Sequence, residues 1–268
     1  MNPRFEQVCP EIGVLYLDRP ERSNAFDDLA FARLATDIEE IGFLPLRALI
    51  LTGRGAHFSS GMDLKPDNLL LAEALDASQH TEQARALIRR LKACFAPLRA
   101  LPFPTIAAIE GVCLGAGLEL ALHCDLRVAA ENASFSLPET RIGLAPDLGG
   151  LTLLRRLVGP GPTALLALSG RRLNASQALS LGLLSELVAP GQTLSAAISL
   201  AREISLGAPT ATREVLRHLR HADAPTTADH LELETEAGLA ALASGELVEA
   251  AIARSERRDP IWAAQLPQ

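Results

Sequence analysis

Several things are missing from this chain, and each absence narrows the reading. Its four cysteines (Cys9, Cys94, Cys113, Cys124) show no C-x-x-C spacing, so they read as reduced core thiols, with neither a disulfide framework nor a metal site expected. The six histidines form no H-x-x-x-H or H-E-x-x-H pattern. His123, Cys124 and Asp125 are adjacent, and neighbours on a helix point in different directions, so they do not close around one metal. No apolar run reaches the roughly 18 residues needed to cross a bilayer. The start, Met1 to Glu6, has no apolar h-region, which leaves the cytoplasm as the expected compartment. Only Lys65 and Lys92 are lysines among 25 basic residues, and the net charge is −7 with both signs mixed along the chain. A nucleic-acid surface would need a basic face. G-x-G-x-x-G, G-x-x-x-x-G-K and G-x-S-x-G are all missing, which counts against nucleotide motifs and against a serine hydrolase. No fixed-period repeat or low-complexity segment occurs.

What is present is a chain of 268 residues, 48% apolar, enough for a full core. Short β-type runs alternate with helical patterns over roughly the first 200 residues. Strands are expected at Ile12–Leu17, Ala48–Thr52, 105–110 and Leu126–Ala129. Helices are expected at Asp27–Ile41, Glu82–Leu98 and 117–124. This alternation predicts an α/β core with buried, mainly parallel strands. From about Pro162 strand signals fade, and Thr163–Leu168, Ser176–Leu181, Leu194–Leu206, Thr210–His218 and Thr227–Ser244 read as helices. The division expected is an α/β core over 1–200 and a helical region over 201–268 that packs against a partner as well as the core. Asp67 to His80 is the least patterned stretch and reads as a mobile loop or loose helix.

Three segments carry chemistry. In the first, Thr105–Ile109 runs into Gly111-Val112-Cys113-Leu114-Gly115-Ala116-Gly117-Leu118-Glu119. Small residues let backbone N–H groups face a ligand, and the helix behind them adds the partial positive charge of its N-terminus. Such a turn can hold a developing oxyanion, with Glu119 close enough for proton chemistry. The second is His57-Phe58-Ser59-Ser60-Gly61-Met62-Asp63-Leu64, at the carboxyl end of a strand, where α/β proteins bind ligands. Alone, it is also an ordinary Ser/Gly turn. The third runs from Leu137 to Gly150 and carries Glu139 and Asp147. It is either an acid/base platform on an ordered loop or simply a capping Glu and a turn Asp.

Taken in order, Ser-Ser-Gly-Met-Asp (59–63), Leu-Gly-Ala-Gly-Leu-Glu-Leu (114–120) and Pro-Glu-x-x-Ile-Gly-x-x-Pro (138–146) resemble the crotonase (enoyl-CoA hydratase/isomerase) superfamily. The likeness extends from Leu17-Asp18-Arg19-Pro20 and Asn24-Ala25-Phe26 to Glu256-Arg257-Arg258-Asp259-Pro260. Each motif is loose, but their ordered combination is specific.

The resemblance implies a crotonase-like spiral of β-β-α units with a helical C-terminal trimerisation region, as a homotrimer or a dimer of trimers. It implies an acyl-CoA thioester substrate, with coenzyme A as part of that substrate and no separate cofactor, metal, nucleic acid or membrane partner. The N–H groups of Met62 and Ala116 would form the oxyanion hole, although relatives commonly have glycine at the second position. Glu119 and Glu139 align with the paired acids of hydratases. Asp147 stands where dienoyl-CoA isomerases carry an acid, though those enzymes commonly have Asp in place of Glu119. Substrate contacts fall to Arg19, Ala25, Ser60, Gly61, Asp63 and Gly115, with Arg257 and Arg258 reaching from a neighbouring subunit. Where relatives often have Phe in this tail, Arg254 stands. The expected activity is hydration of a 2-enoyl-CoA. Isomerisation of a 3-enoyl- or 3,5-dienoyl-CoA is the alternative, and a non-catalytic CoA-binding role is the second. RNA binding, found among some relatives, would call for a basic face that the charge does not suggest.

Overall fold

The structure, a computed structural model, describes residues 4–65, 67–77, 80–220 and 227–262. Met1 to Pro3, which bear on the leader question, and Ser78 and Gln79 of the unpatterned stretch lie outside them. The strands are β1 (Phe5–Cys9), β2 (Ile12–Leu17), β3 (Ala48–Gly53), β4 (Thr105–Ile109), β5 (Val112–Leu114), β6 (Leu126–Ala130), β7 (Ser134–Ser136), β8 (Leu173–Asn174) and β9 (Glu186–Val188). The helices are α1 (Asp28–Gly42), α2 (Leu69–Ala77), α3 (Thr81–Ala93), α4 (Ala116–His123), α5 (Gly150–Val158), α6 (Pro160–Ser169), α7 (Ala175–Ser180), α8 (Thr193–Ser205), α9 (Pro209–Arg220), α10 (Thr227–Ala243) and α11 (Glu246–Glu256).

Six strands form the main sheet in the order β1-β2-β3-β4-β6-β9, parallel except for the β1–β2 pair. A smaller sheet, β5-β7-β8, stands beside it. The two sheets and their helices make the mixed α/β fold that the alternation of strands and helices implied. Strands β3 and β4 are buried almost throughout, as expected of central parallel strands covered on both faces. Alternate residues divide the core by the two-residue period of a strand. Leu49, Leu51, Ala107 and Ile109 point into the larger core, which also holds Phe31, Leu34 and Ile38 of α1. Ala48, Ile50, Ile106 and Ala108 face Ala197 and Ala201 of α8. Helix α1 starts where Asp27 accepts the Ala30 N–H at 2.8 Å, a side-chain cap.

Several boundaries differ from the sequence expectations. The helix expected over 82–98 ends at Ala93, and Ala96–Ala100 forms a short 3-10 turn with Pro97 near its start. The stretch read as a mobile loop or loose helix holds a helix, α2. Strand β9 joins the edge of the main sheet after Pro162, where only helices were expected; three residues are too few to show a period. Helices α5 and α11 and strands β1, β5, β7 and β8 were not anticipated. Helix α5 begins at a Gly-Gly pair that reads as a turn, and β1 is half-exposed. All four cysteines are free thiols. Among the described residues no group of three metal-ligating side chains exists, and no helix is long and apolar enough to cross a membrane.

Helices α10 and α11 leave Leu231, Leu239, Leu242, Leu247 and Val248 exposed. Helix α9 is tied to the core through Arg220, which bonds Asp125 at 2.6 and 2.8 Å and the carbonyl of Leu101 at 2.6 Å. The same Asp125 carboxylate accepts the backbone N–H and the hydroxyl of Thr105, both at 2.8 Å. Truncating Asp125 strands a mostly buried guanidinium and two donors. Asp125→Ala is therefore expected to lower unfolding free energy by about 3 kcal/mol in urea titrations.

Candidate active site

Three backbone segments meet at the site. Ser59 donates its N–H to Val112 O at 3.0 Å, and Leu114 donates to Ser59 O at 3.0 Å, joining the Ser-Ser-Gly-Met-Asp turn to β5. On the other side, Phe26 N–H donates to Gly61 O at 2.8 Å and Asp63 N–H to Phe26 O at 2.9 Å. The fit leaves no room for side chains. A Cβ on Gly61 would lie 2.8 Å from Leu114 O and 3.3 Å from Ala116 N, at a φ of +92°. Gly115, the N-cap of α4, has φ 52° and ψ −127°, conformations that only glycine adopts readily. Residues 61–62 and 115–116, 54 positions apart in sequence, thus become neighbours. Among the described residues no acceptor takes the amide of Met62 or of Ala116. Ala116 opens α4, where the first N–H groups have no intrahelical partner.

Two buried carboxyls belong to this neighbourhood. Glu119, on the first turn of α4 and 2% exposed, accepts the amides of Leu148 at 2.9 Å and Gly150 at 2.8 Å, both through Oε1. Burial pushes its carboxyl from the ordinary 4.5 up to about 7. The negative fields of Glu139 and Asp147 add to that rise, and the two amides oppose it. Glu139 sits in a short 3-10 turn, Glu139–Ile142. Its Oε1 lies 3.1 Å from where a Cβ on Gly115 would stand, so the carboxyl reaches the N-terminus of α4. Burial raises it to about 7 as well, helped by Asp147. Its Oε2 is buried without a hydrogen-bond partner among the described residues. Asp147 stands on the exposed side of the loop, and partial loss of water raises its carboxyl too.

The remaining expected site residues fall into two groups. Arg19, Ala25, Ser60 and Asp63 are brought together. Arg19 bonds the Ala25 carbonyl at 2.6 Å and the carboxylates of Asp63 at 3.2 Å and Asp27 at 3.1 Å. Ser60 N–H donates to Ser23 O at 2.9 Å. Arg19 therefore ties the 19–27 segment to Asp63 instead of standing open. Arg258, by contrast, is held by Glu249 and Glu256 at 2.6 Å, and it and Arg257 follow the end of α11. Sequence reasoning missed Asn24, which is buried, has φ 54°, and donates to the carbonyls of His57 at 2.7 Å and Arg54 at 3.0 Å. It also missed the Leu148 and Gly150 amides, for which no side chain gives a signal, and weighed His123 only as a metal ligand. That histidine lies four residues after Glu119, on one helix face, a spacing that could have pointed to its place beside the acid.

A family model described as "Enoyl-CoA hydratase/isomerase" matches residues 9–265. The chain belongs to the enoyl-CoA hydratase/isomerase family. Its relatives differ in activity by name. The "Mevalonyl-coenzyme A hydratase sidH" of Aspergillus fumigatus is 35% identical over 213 residues, covering 79% of this chain and 76% of that protein. The "Delta(3,5)-Delta(2,4)-dienoyl-CoA isomerase, mitochondrial" of Dictyostelium discoideum is 30% identical over 259 residues, covering 95% and 88%. Among solved structures, an enoyl-CoA hydratase from Bacillus anthracis superposes with a TM-score of 0.88 at 30% identity, covering 97% of this chain and 98% of that one.

For this family member the buried carboxyls also set a stability profile. A folded Glu119 near 7 holds its proton between pH 4.5 and 7, where the unfolded chain has lost it. Its protonated form thus supports the fold fully below about 4.5, and that support is lost as pH rises through about 7. Glu119→Gln should therefore unfold at higher urea than the native chain at pH 8. The gain should approach, and not exceed, about 3 kcal/mol and vanish near pH 4.

Proposed function

We propose that this enzyme adds water to a 2-enoyl-CoA to give a 3-hydroxyacyl-CoA. The observation that carries this reading is the pair of buried carboxyls, Glu119 and Glu139, both near neutrality, with Asp147 on the exposed side of the same loop. Two amides favour the ionised form of Glu119, which suits a base. Glu139 has a buried oxygen without a hydrogen-bond partner among the described residues, which suits the acid that keeps its proton. In the reaction Glu119 takes a proton from water, the water oxygen bonds Cβ, and the electron pair of the double bond moves onto the thioester oxygen. Protonation of Cα from Glu139 completes the addition. The Met62 and Ala116 amides would hold the enolate oxygen, each contributing about 3–4 kcal/mol, with the N-terminus of α4 behind them.

In this reading coenzyme A follows Arg19, Ala25, Ser60, Gly61, Asp63 and Gly115 through backbone contacts. Arg257 and Arg258 come from a neighbouring subunit of a trimer or dimer of trimers, which would also cover the exposed leucines of α10 and α11. Isomerisation is the second reading, favoured by the field that Asp147 exerts on both glutamates.

Assays with crotonyl-CoA, a 3-enoyl-CoA and a 3,5-dienoyl-CoA separate the two. Crotonyl-CoA is expected to turn over fastest. Glu139→Gln should lower kcat by about 10²–10⁴ on every substrate, and Glu119→Gln should do so for hydration. Asp147→Asn should mainly affect isomerisation. Near-full activity of Glu139→Gln would overturn the assignment.

A further inference from the structure

Helix α4 touches the 147–150 loop twice, and the reaction proposed above uses only one of the contacts. One turn beyond Glu119, His123 places Nε2 2.9 Å from Leu148 O. Leu148 is thereby held at both ends of its residue: its N–H on Glu119 and its carbonyl on His123. The ring is 7% exposed and packs edge-on against Phe95, with centroids 5.7 Å apart. Gly149 closes over it, since a Cβ there would come within 2.9 Å of Nε2. Its other nitrogen, Nδ1, is buried with no hydrogen-bond partner among the described residues.

A carbonyl can only accept, so Nε2 must carry the proton. A bare Nδ1 in an apolar setting then calls for a neutral ring. Burial disfavours its charge, and Arg99 and Lys92 nearby do so further, while the Leu148 carbonyl favours the proton. Neutral, donating and wedged by Phe95 and Gly149, the ring has one polar contact.

We infer that His123 is a positioning residue: its ring N–H fixes the Leu148 peptide and so aims the Leu148 and Gly150 amides at Glu119. The inference deepens the proposed reaction and rests on Glu119 being its base. Without the strut, the loop is free to turn its amides away, and the ionised form of Glu119 loses support. The groups facing Glu119 are Glu139, Asp147 and those two amides; Glu139 lies outside the loop that His123 holds, and Asp147, which shares that loop, acts on Glu119 less than either amide.

The test reads the carboxyl without substrate. In the ¹⁵N-labelled full-length protein, the Leu148 and Gly150 amide signals should titrate with Glu119, and Glu119→Gln should remove that titration. His123→Leu is expected to move the midpoint up by about 0.5–1 unit. His123→Gln, whose side-chain amide can donate to the same carbonyl, should return it toward the native value. The acid limb of kcat against pH should follow the same shift, with KM little changed. An unmoved midpoint in folded His123→Leu overturns the inference, as does a shift that His123→Gln fails to reduce. The native protein supplies an independent measurement should the leucine variant not fold. Its His123 ring nitrogens should report a neutral imidazole with the proton on Nε2 at pH 7. A proton on Nδ1, or a charged ring, would overturn the inference. If the amide midpoints behave as expected but crotonyl-CoA is not hydrated, the reaction assignment fails while the strut stands.

Discussion

Glu119 is both a helix residue and a loop anchor, and the two hydrogen bonds it accepts from the 147–150 segment are the constraint on which the site depends. Its Oε1 gathers two amides from a loop some thirty residues away in sequence. Burial withholds water from the carboxyl, and those amides are the partial replacement. Because the same loop carries Asp147, fixing it also fixes the field felt by Glu139. A buried acid that is held but not fully compensated keeps a proton affinity near neutrality, the range useful for moving protons at cellular pH. The cost falls on stability above neutral pH, as is common where active sites hold groups in unfavourable surroundings.

The glycines explain how backbone alone can be the working surface. Gly61 and Gly115 let the 59–63 turn close against the end of β5, leaving adjacent amides without acceptors among the described residues. Side chains at either point would push the segments apart. Ala116 is tolerated at this close approach because Gly115 before it takes the positive φ and Ala116 itself is helical. Gly150 works similarly at the carboxyl: a Cβ there would come within 2.7 Å of Glu119 Oε1.

Legibility in the sequence varied with the length and regularity of each signal. Central strands such as Ala48–Gly53 and the amphipathic α1 were visible because burial on both faces or on one face leaves a pattern in residue type. Strands β8 and β9, of two and three residues, leave none. Helix α5 was hidden behind Gly149 and Gly150, which read as a turn although they serve as its start. Arg19 was expected beside the substrate and is held by Asp27, Asp63 and the Ala25 carbonyl. Its motif was readable, but its partners were set by the chain's return at residue 63.

The family, the α/β alternation and the identity of the two glutamates were determined by the sequence, because they reside in residue types and their order. Tertiary structure alone decided that the two carboxyls are buried near one another, that residues 61–62 and 115–116 meet, and that His123 reaches the Leu148 carbonyl. Proton affinity and backbone exposure depend on what surrounds a group, and those surroundings come from segments that only folding brings together.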